Sequence, residues 1–163
     1  MAFDQAMKFL RERGFAHRVQ TFPVSSATVE LAAQALNTEP ARIAKSMTFL
    51  VGDRAIMVVT AGDRKVNSGK FKARFGVKAK MLTREQVHGM IGHDVGGVCP
   101  FGIPPGVEVY LDESMKRFDC IYPACGSDNS AVRLTPEELE RLSGAVSWVD
   151  VCVEMPLANE QKG

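Results

Sequence analysis

The sequence predicts a mixed α/β fold, and three patterns carry that reading. Two β-rich runs, 46–51 and 55–61, flank Gly52-Asp53-Arg54 and read as a hairpin. Segments with apolar residues at helical spacing alternate with strand-like segments along the chain. The hairpin and a late cluster of short strands argue against a purely parallel sheet. With 163 residues, the chain suits one domain that buries enough apolar surface to fold without metal or disulfide.

Each element follows from local chemistry. Phe3, Ala6, Met7 and Leu10 mark a helix that Gly14 stops. Residues 16–22 read as a strand ending before Pro23. Thr28 is an N-cap for a helix through Val29, Ala32, Ala33 and Leu36, with Asn37 as its stop. Thr38 and Pro40 open a short helix. After the hairpin, residues 67–75 are helical and end at Gly76. Thr83-Arg-Glu-Gln86 fits a capping box that opens a helix to about Ile91. Between Gly92 and Gly106 stand five glycines and three prolines in 15 residues, which no regular element survives. Strands resume at 107–111, 118–122 and 131–134. Thr135-Pro-Glu-Glu138 starts a helix that Gly144 ends, and 146–153 reads as a last strand. The expected domain spans residues 1–155, with a polar, frayed tail over 156–163.

Composition excludes several classes. The strongest apolar stretch, Ala55 to Val59, is too short to span a bilayer. The N-terminus lacks the basic patch and apolar core of a signal peptide, so a cytoplasmic location and no membrane partner are expected. Cys99, Cys120, Cys125 and Cys152 form no Cys-x-x-Cys pair, and His17, His88 and His93 are scattered. Free, mostly buried thiols and no metal are therefore expected.

Charge is unevenly spread. Arg64, Lys65, Lys70, Lys72, Arg74, Lys78, Lys80 and Arg84 lie in one stretch without an acid, so the rest carries −7 against a chain total of +1. Such a stripe suits a polyanion, with Arg64, Lys65, Lys70, Lys72 and Arg74 as candidate contacts. It equally suits a solvated helix face whose acidic partners lie elsewhere in the fold.

Common catalytic motifs are absent. Six residues separate Gly62 from Gly69-Lys70, and Phe71 stands where a P-loop needs Ser or Thr. There is no Gly-x-Gly-x-x-Gly after a strand and no Gly-x-Ser-x-Gly elbow. What remains is the loop from Gly92 to Gly102. Its glycines let backbone amides approach a ligand, and its prolines keep them aimed, as an oxyanion or phosphate site requires. A corner-turning connector has the same composition. Gly126-Ser-Asp-Asn-Ser130 could form an opposite rim. Lys45, just before an apolar strand, reads either as a cation at a pocket mouth or as a lysine snorkelling to water.

These pieces together resemble the YbaK/EbsC family, the prolyl-tRNA-synthetase-associated editing domain. The resemblance runs from about Phe15 to Val153. It rests on Pro23, Thr28 and the Ala32-Ala33 helix; Ile43-Ala-Lys-Ser46; Val58-Val-Thr-Ala-Gly62; Gly96-Gly-Val-Cys-Pro-Phe-Gly102; Gly126-Ser127; and Val132-Arg-Leu-Thr-Pro-Glu-Glu-Leu139.

The resemblance implies a compact domain around a curved, barrel-like mixed sheet surrounded by helices. It implies trans-editing hydrolysis of mischarged aminoacyl-tRNA, with tRNA-Pro carrying a small residue such as Ala, Cys or Ser as substrate. No cofactor is implied. The implied partners are the tRNA acceptor end and an aminoacyl-tRNA synthetase, and the protein would be a monomer or weak homodimer. Lys45, Gly96, Gly97, Val98 and Cys99 are the implied catalytic residues, the last four through their amides. Thr28, Ser46, Gly62, His93, Pro100, Gly102, Gly126 and Ser127 are the implied substrate contacts. Many relatives carry serine at the Cys99 position, so attack by this thiol is not required. A module that binds tRNA or a nucleotide without hydrolysis is the alternative.

Overall fold

The apolar hairpin becomes the spine of the sheet. In the computed structural model, which describes residues 2–155, β2 (Ile43–Val51) and β3 (Arg54–Ala61) pair antiparallel from Ala44↔Ala61 to Val51↔Arg54. The expected tail over 156–163 lies outside the described residues. Seven of the eight β3 residues are buried, because both faces of this strand are covered. Side chains alternate across a strand. Met57 and Val59 thus enter one core with Leu10, Phe101, Leu111 and Leu139. Ile56 and Val58 enter a second core with Phe71, Tyr110 and Val151.

Neighbouring strands complete a mixed, curled five-stranded sheet. β5 (Glu108–Asp112) runs parallel to β3, β8 (Ser147–Val149) parallel to β5, and β6 (Tyr122–Pro123) parallel to the start of β2. Two short antiparallel ribbons flank it. One joins β1 (Val19–Thr21) to β7 (Ser130–Val132), the other β4 (Arg64–Val66) to β9 (Cys152–Glu154). α1 (Ala2–Glu12) packs on the first core through Ala6 and Leu10. α3 (Ser68–Phe75) packs on the second, where Phe71 lies 4.8 Å from Phe49 and 4.6 Å from Phe75 between ring centroids.

Capping chemistry sets three helices where the sequence predicts them, whereas the short helix expected to open at Thr38 is a 3-10 turn over Pro40–Arg42 with Glu39 at its cap position and no side-chain cap bond. Thr28 Oγ1 accepts the Leu31 N–H of α2 (Val29–Leu36), and Asn37 closes it in the left-handed region at φ 54°. Thr83 and Gln86 form a reciprocal box at α4 (Arg84–Gln86), as do Thr135 and Glu138 at α5 (Pro136–Ser143). Beyond α4 the helix widens into a π turn over Val87–Ile91, which Gly92 ends.

Three strand readings change. The run 16–22 opens with a 3-10 turn over Ala16–Arg18, leaving only β1. The run 118–122 shrinks to β6, with Ile121 held to Leu134 only by an isolated bridge; ahead of it, Asp112 Oδ2 accepts the Ser114 N–H and starts a 3-10 turn over Glu113–Arg117. The run 146–153 breaks in two. Asp112 Oδ1 takes the Val151 N–H at 3.0 Å, drawing the chain off β5 and delivering β9 to β4. β4 itself was not anticipated.

Candidate active site

A cleft forms where one edge of β2 is left bare. β6 covers Ile43 and Ala44. Residues 80–82 run beside the far end, where the Leu50 N–H donates to Lys80 C=O at 2.8 Å and the Leu82 N–H donates to Thr48 C=O at 3.1 Å. Between these neighbours, no described strand covers Lys45, Ser46 or Met47. Backbone groups alternate along a strand, so Ser46, in phase with Thr48 and Leu50, turns its N–H and C=O into the gap. Ser46 Oγ is buried and has no partner among the described residues. The cleft is about 310 Å³.

Lys45 lies inside β2 as its third residue, not ahead of the strand as the sequence suggested. It is half-buried on the cleft wall, and its Nζ lies 3.6 Å from Met155 Sδ. Burial lowers its pKa below the ordinary lysine value, while Cys152, Asp63 and Glu30 pull the other way. Lys45 and Tyr122 are the ionisable side chains among the described residues lining the cleft.

The facing wall comes from Thr28 at the head of α2 and from Gly96 and Val98 of the glycine loop. The loop and the 126–130 turn do meet. A β-carbon on Gly97 would lie 2.7 Å from the Ser127 nitrogen, so only glycine permits this contact. Ser127 Oγ in turn lies 2.6 Å from Ser130 Oγ, and Ser130 lines the cleft. Ser26 N–H donates to Asp128 C=O at 2.6 Å, tying the segment before α2 to the same turn.

Two expected amide donors are already committed. The Gly97 N–H donates to Asp94 C=O at 3.0 Å, and the Cys99 N–H donates to His93 Nδ1 at 3.2 Å. No acceptor stands against the Gly96 and Val98 N–H groups among the described residues. The oxyanion reading therefore contracts from four amides to these two.

Several expected substrate contacts move behind the cleft. His93 is 1% exposed and does not line it. Cys99 is fully buried, and burial pushes its thiol up to about 12, which removes the thiolate at neutral pH. Pro100 is buried, and Gly102 packs against the Gln5 carbonyl of α1. A β-carbon on Gly62 would sit 2.1 Å from Pro40 O, and one on Gly126 would sit 2.6 Å from Ala2 O. These glycines permit close packing.

The basic stripe is partly neutralised. Lys70 Nζ lies 3.0 Å from Asp150, Arg64 reaches Asp63 and Glu154, and Arg74 lies over Phe75 and Tyr110. Lys65 and Lys72 are exposed and make no ion pair among the described residues. Sequence reasoning missed Met47, Met81, Tyr122 and Ala124 of the cleft. Strand pairing across long separations brings them in, and no local motif marks them.

Comparison with known proteins agrees with this architecture. Residues 24–142 match the sequence profile of the aminoacyl-tRNA editing domain. The Bacillus subtilis protein YwhH, of uncharacterised function, is 50% identical over 135 residues, covering 82% of this chain and 86% of that protein. The proline--tRNA ligase of Bacillus cytotoxicus is 29% identical over 107 residues, covering 65% of this chain and only 19% of the ligase. A solved structure described as a candidate trans-editing enzyme for prolyl tRNA synthetase superposes with a TM-score of 0.84 at 30% identity, covering 95% of this chain and 98% of that one.

Proposed function

The chain belongs to the aminoacyl-tRNA editing domain family, and from that premise we propose that it is a free-standing deacylase acting on tRNA-Pro mischarged with a small amino acid such as Ala, Cys or Ser. The observation that carries this reading is the bared β2 edge. It presents the half-buried Lys45 and the free Ser46 backbone across a cleft from the Gly96 and Val98 amides. Small side chains wall the cleft at Ala27, Ala32, Ala44 and Ala124, which suits a small aminoacyl group.

The chemistry is ester hydrolysis by water. Water oxygen bonds to the ester carbonyl carbon, and the carbonyl electron pair moves onto its oxygen. As the tetrahedral species collapses, the bond to the ribose oxygen breaks. The proton from water finishes on the ribose hydroxyl, and the amino acid leaves. The Gly96 and Val98 amides aim at the developing oxyanion, each worth about 3 kcal/mol. Lys45 anchors the terminal phosphate or orients the substrate amine. The ester is already activated, so positioning supplies much of the rate.

A second reading has its own observation. The described cleft lining includes no carboxylate or imidazole to serve as a base, and a binding module needs none. A deacylation panel decides between them. Release of Ala, Cys or Ser from charged tRNA-Pro supports the enzyme, and binding without release supports the module. The same panel run with tRNA-Ala and tRNA-Cys tests the tRNA assignment.

A further inference from the structure

We propose that His93 is a positioning residue for the glycine loop: its Nδ1 holds the Cys99 amide and thereby fixes the Gly96 and Val98 amides in the cleft, and a proton taken up at that nitrogen releases the loop. The assignment of those two amides rests on the deacylase reading, whereas the His93–Cys99 link does not.

The geometry carries the first half. His93 and Cys99 bracket the loop, and the bond between them, 3.2 Å from Cys99 N to Nδ1, is buried. Because Nδ1 accepts, the ring proton of the neutral imidazole sits on Nε2. That Nε2 is buried and has no partner among the described residues. An apolar side chain of similar volume would fill the space without leaving a buried N–H unpaired. What the imidazole adds at this position is therefore its acceptor. Without it, the Cys99 N–H would be a buried orphan at the C-terminal end of the segment that lines the cleft.

The second half follows from proton placement. A protonated ring carries N–H on both nitrogens, so Nδ1–H would face the Cys99 N–H, donor against donor. The surroundings also oppose the charge. Burial lowers the His93 pKa, and among the described residues Asp94 is the charged group pulling it up. Asp94 is itself exposed and lies 3.1 Å from His88 Nδ1 at the end of the helical segment packed before the loop. The charged ring is accommodated only by leaving its place, and the chain from Asp94 to Cys99 moves with it. Folded His93 sits below its ordinary value of 6.5, so its contribution to stability is present above that value and declines as pH falls below it. In the folded protein the loop is released only at lower pH, at the folded-state pKa.

The test uses two variants and two readouts. In His93→Asn, Oδ1 stands in for Nδ1 as acceptor but does not protonate. In His93→Leu the acceptor is lost. Nitrogen-15 NMR on the free protein should show the Nε2–H tautomer of His93. Cys99 amide exchange should be about tenfold or more faster in His93→Leu and near the parent rate in His93→Asn, as expected for losing one buried hydrogen bond. In single-turnover deacylation, the acid limb of the parent below pH 6.5 should disappear in His93→Asn, which stays within about threefold of the parent at neutral pH, while His93→Leu loses at least about tenfold. Equal Cys99 exchange in parent and His93→Leu overturns the proposal, as does an unchanged acid limb in His93→Asn. If His93→Leu does not fold, the tautomer and the His93→Asn limb decide. If the parent deacylates nothing, the deacylase reading fails, and Cys99 amide protection, taken relative to the intrinsic exchange rate at each pH, still judges the link: protection that falls with acid in the parent but not in His93→Asn supports it, and identical protection profiles overturn it.

Discussion

Gly97 lies against the Ser127 backbone so closely that a β-carbon would come within 2.7 Å of the Ser127 nitrogen and 2.8 Å of its carbonyl carbon. Both neighbours are main chain, so neither can swing aside as a flexible side chain would. Gly97→Ala should therefore destabilise the fold by about 1–3 kcal/mol through overpacking. Deacylation should fall at least about tenfold, because the Gly96 and Val98 amides shift with the loop. Gly97→Val should do more on both counts. Thermal melts and single-turnover rates check this, and parent-like values for Gly97→Ala would show that the two turns can part freely.

Lys45 makes a different prediction, because its proposed contribution is charge. Lys45→Ala should cut deacylation by about 10²-fold or more, as for loss of a preorganised electrostatic group. Lys45→Arg should rescue little, since a planar fork does not fit where a compact ammonium stands. Burial lowers the Lys45 pKa, so the cation is lost at a pH below the ordinary lysine value of 10.5. The parent should then show an alkaline limb below 10.5 that Lys45→Ala lacks, measured as the ratio of the two rates against pH. A constant ratio would remove the charge from the account.

Cys99 should prove chemically silent. Its thiol is fully buried and held near 12, so almost none is thiolate at neutral pH. Its N–H is taken by His93, and serine keeps that N–H. Cys99→Ser should keep activity within about threefold, with a stability cost of about 1–2 kcal/mol for burying a hydroxyl. Iodoacetamide should leave the native rate unchanged. Inactivation that tracks labelling of Cys99 would make the thiol a nucleophile.

The architecture was legible where local chemistry decides it. Thr28, Thr83 and Thr135 cap helices from fixed offsets, and the β2–β3 hairpin follows from composition alone. Lys45, Gly96 and Val98 were legible as cleft residues through the family resemblance. What stayed hidden depends on long-range pairing. Asp112 Oδ1 breaks the run 146–153 by taking the Val151 N–H from 39 residues away, and nothing in the local sequence announces that. The bare edge at Ser46 exists only because β6 and residues 80–82 cover either side of it. Glycine density likewise could not separate amides aimed at a ligand from glycines such as Gly62 that accommodate packing.

Partial neutralisation of the basic stripe sharpens which lysines to test. Lys70 is bound to Asp150 and to the Cys152 carbonyl, so its reversal damages the fold as well as any contact. Lys65→Glu with Lys72→Glu alters exposed side chains that make no ion pair among the described residues. That double variant should melt within about 2 °C of the parent, as for surface changes near ±0.5 kcal/mol. It should also bind tRNA more weakly, with a shallower dependence of log affinity on log salt. Unchanged affinity at low salt would leave the stripe as a solvated face.

The central claim is hydrolysis at the bared β2 edge, and single-turnover deacylation of Ala-, Cys- and Ser-charged tRNA-Pro by parent and Lys45→Ala tests it most directly. The account predicts release of at least one of these amino acids by the parent. It also predicts a loss of about 10²-fold or more in a Lys45→Ala protein that still folds and still binds tRNA. Binding of all three charged tRNAs without release, or equal release by parent and variant, would contradict it.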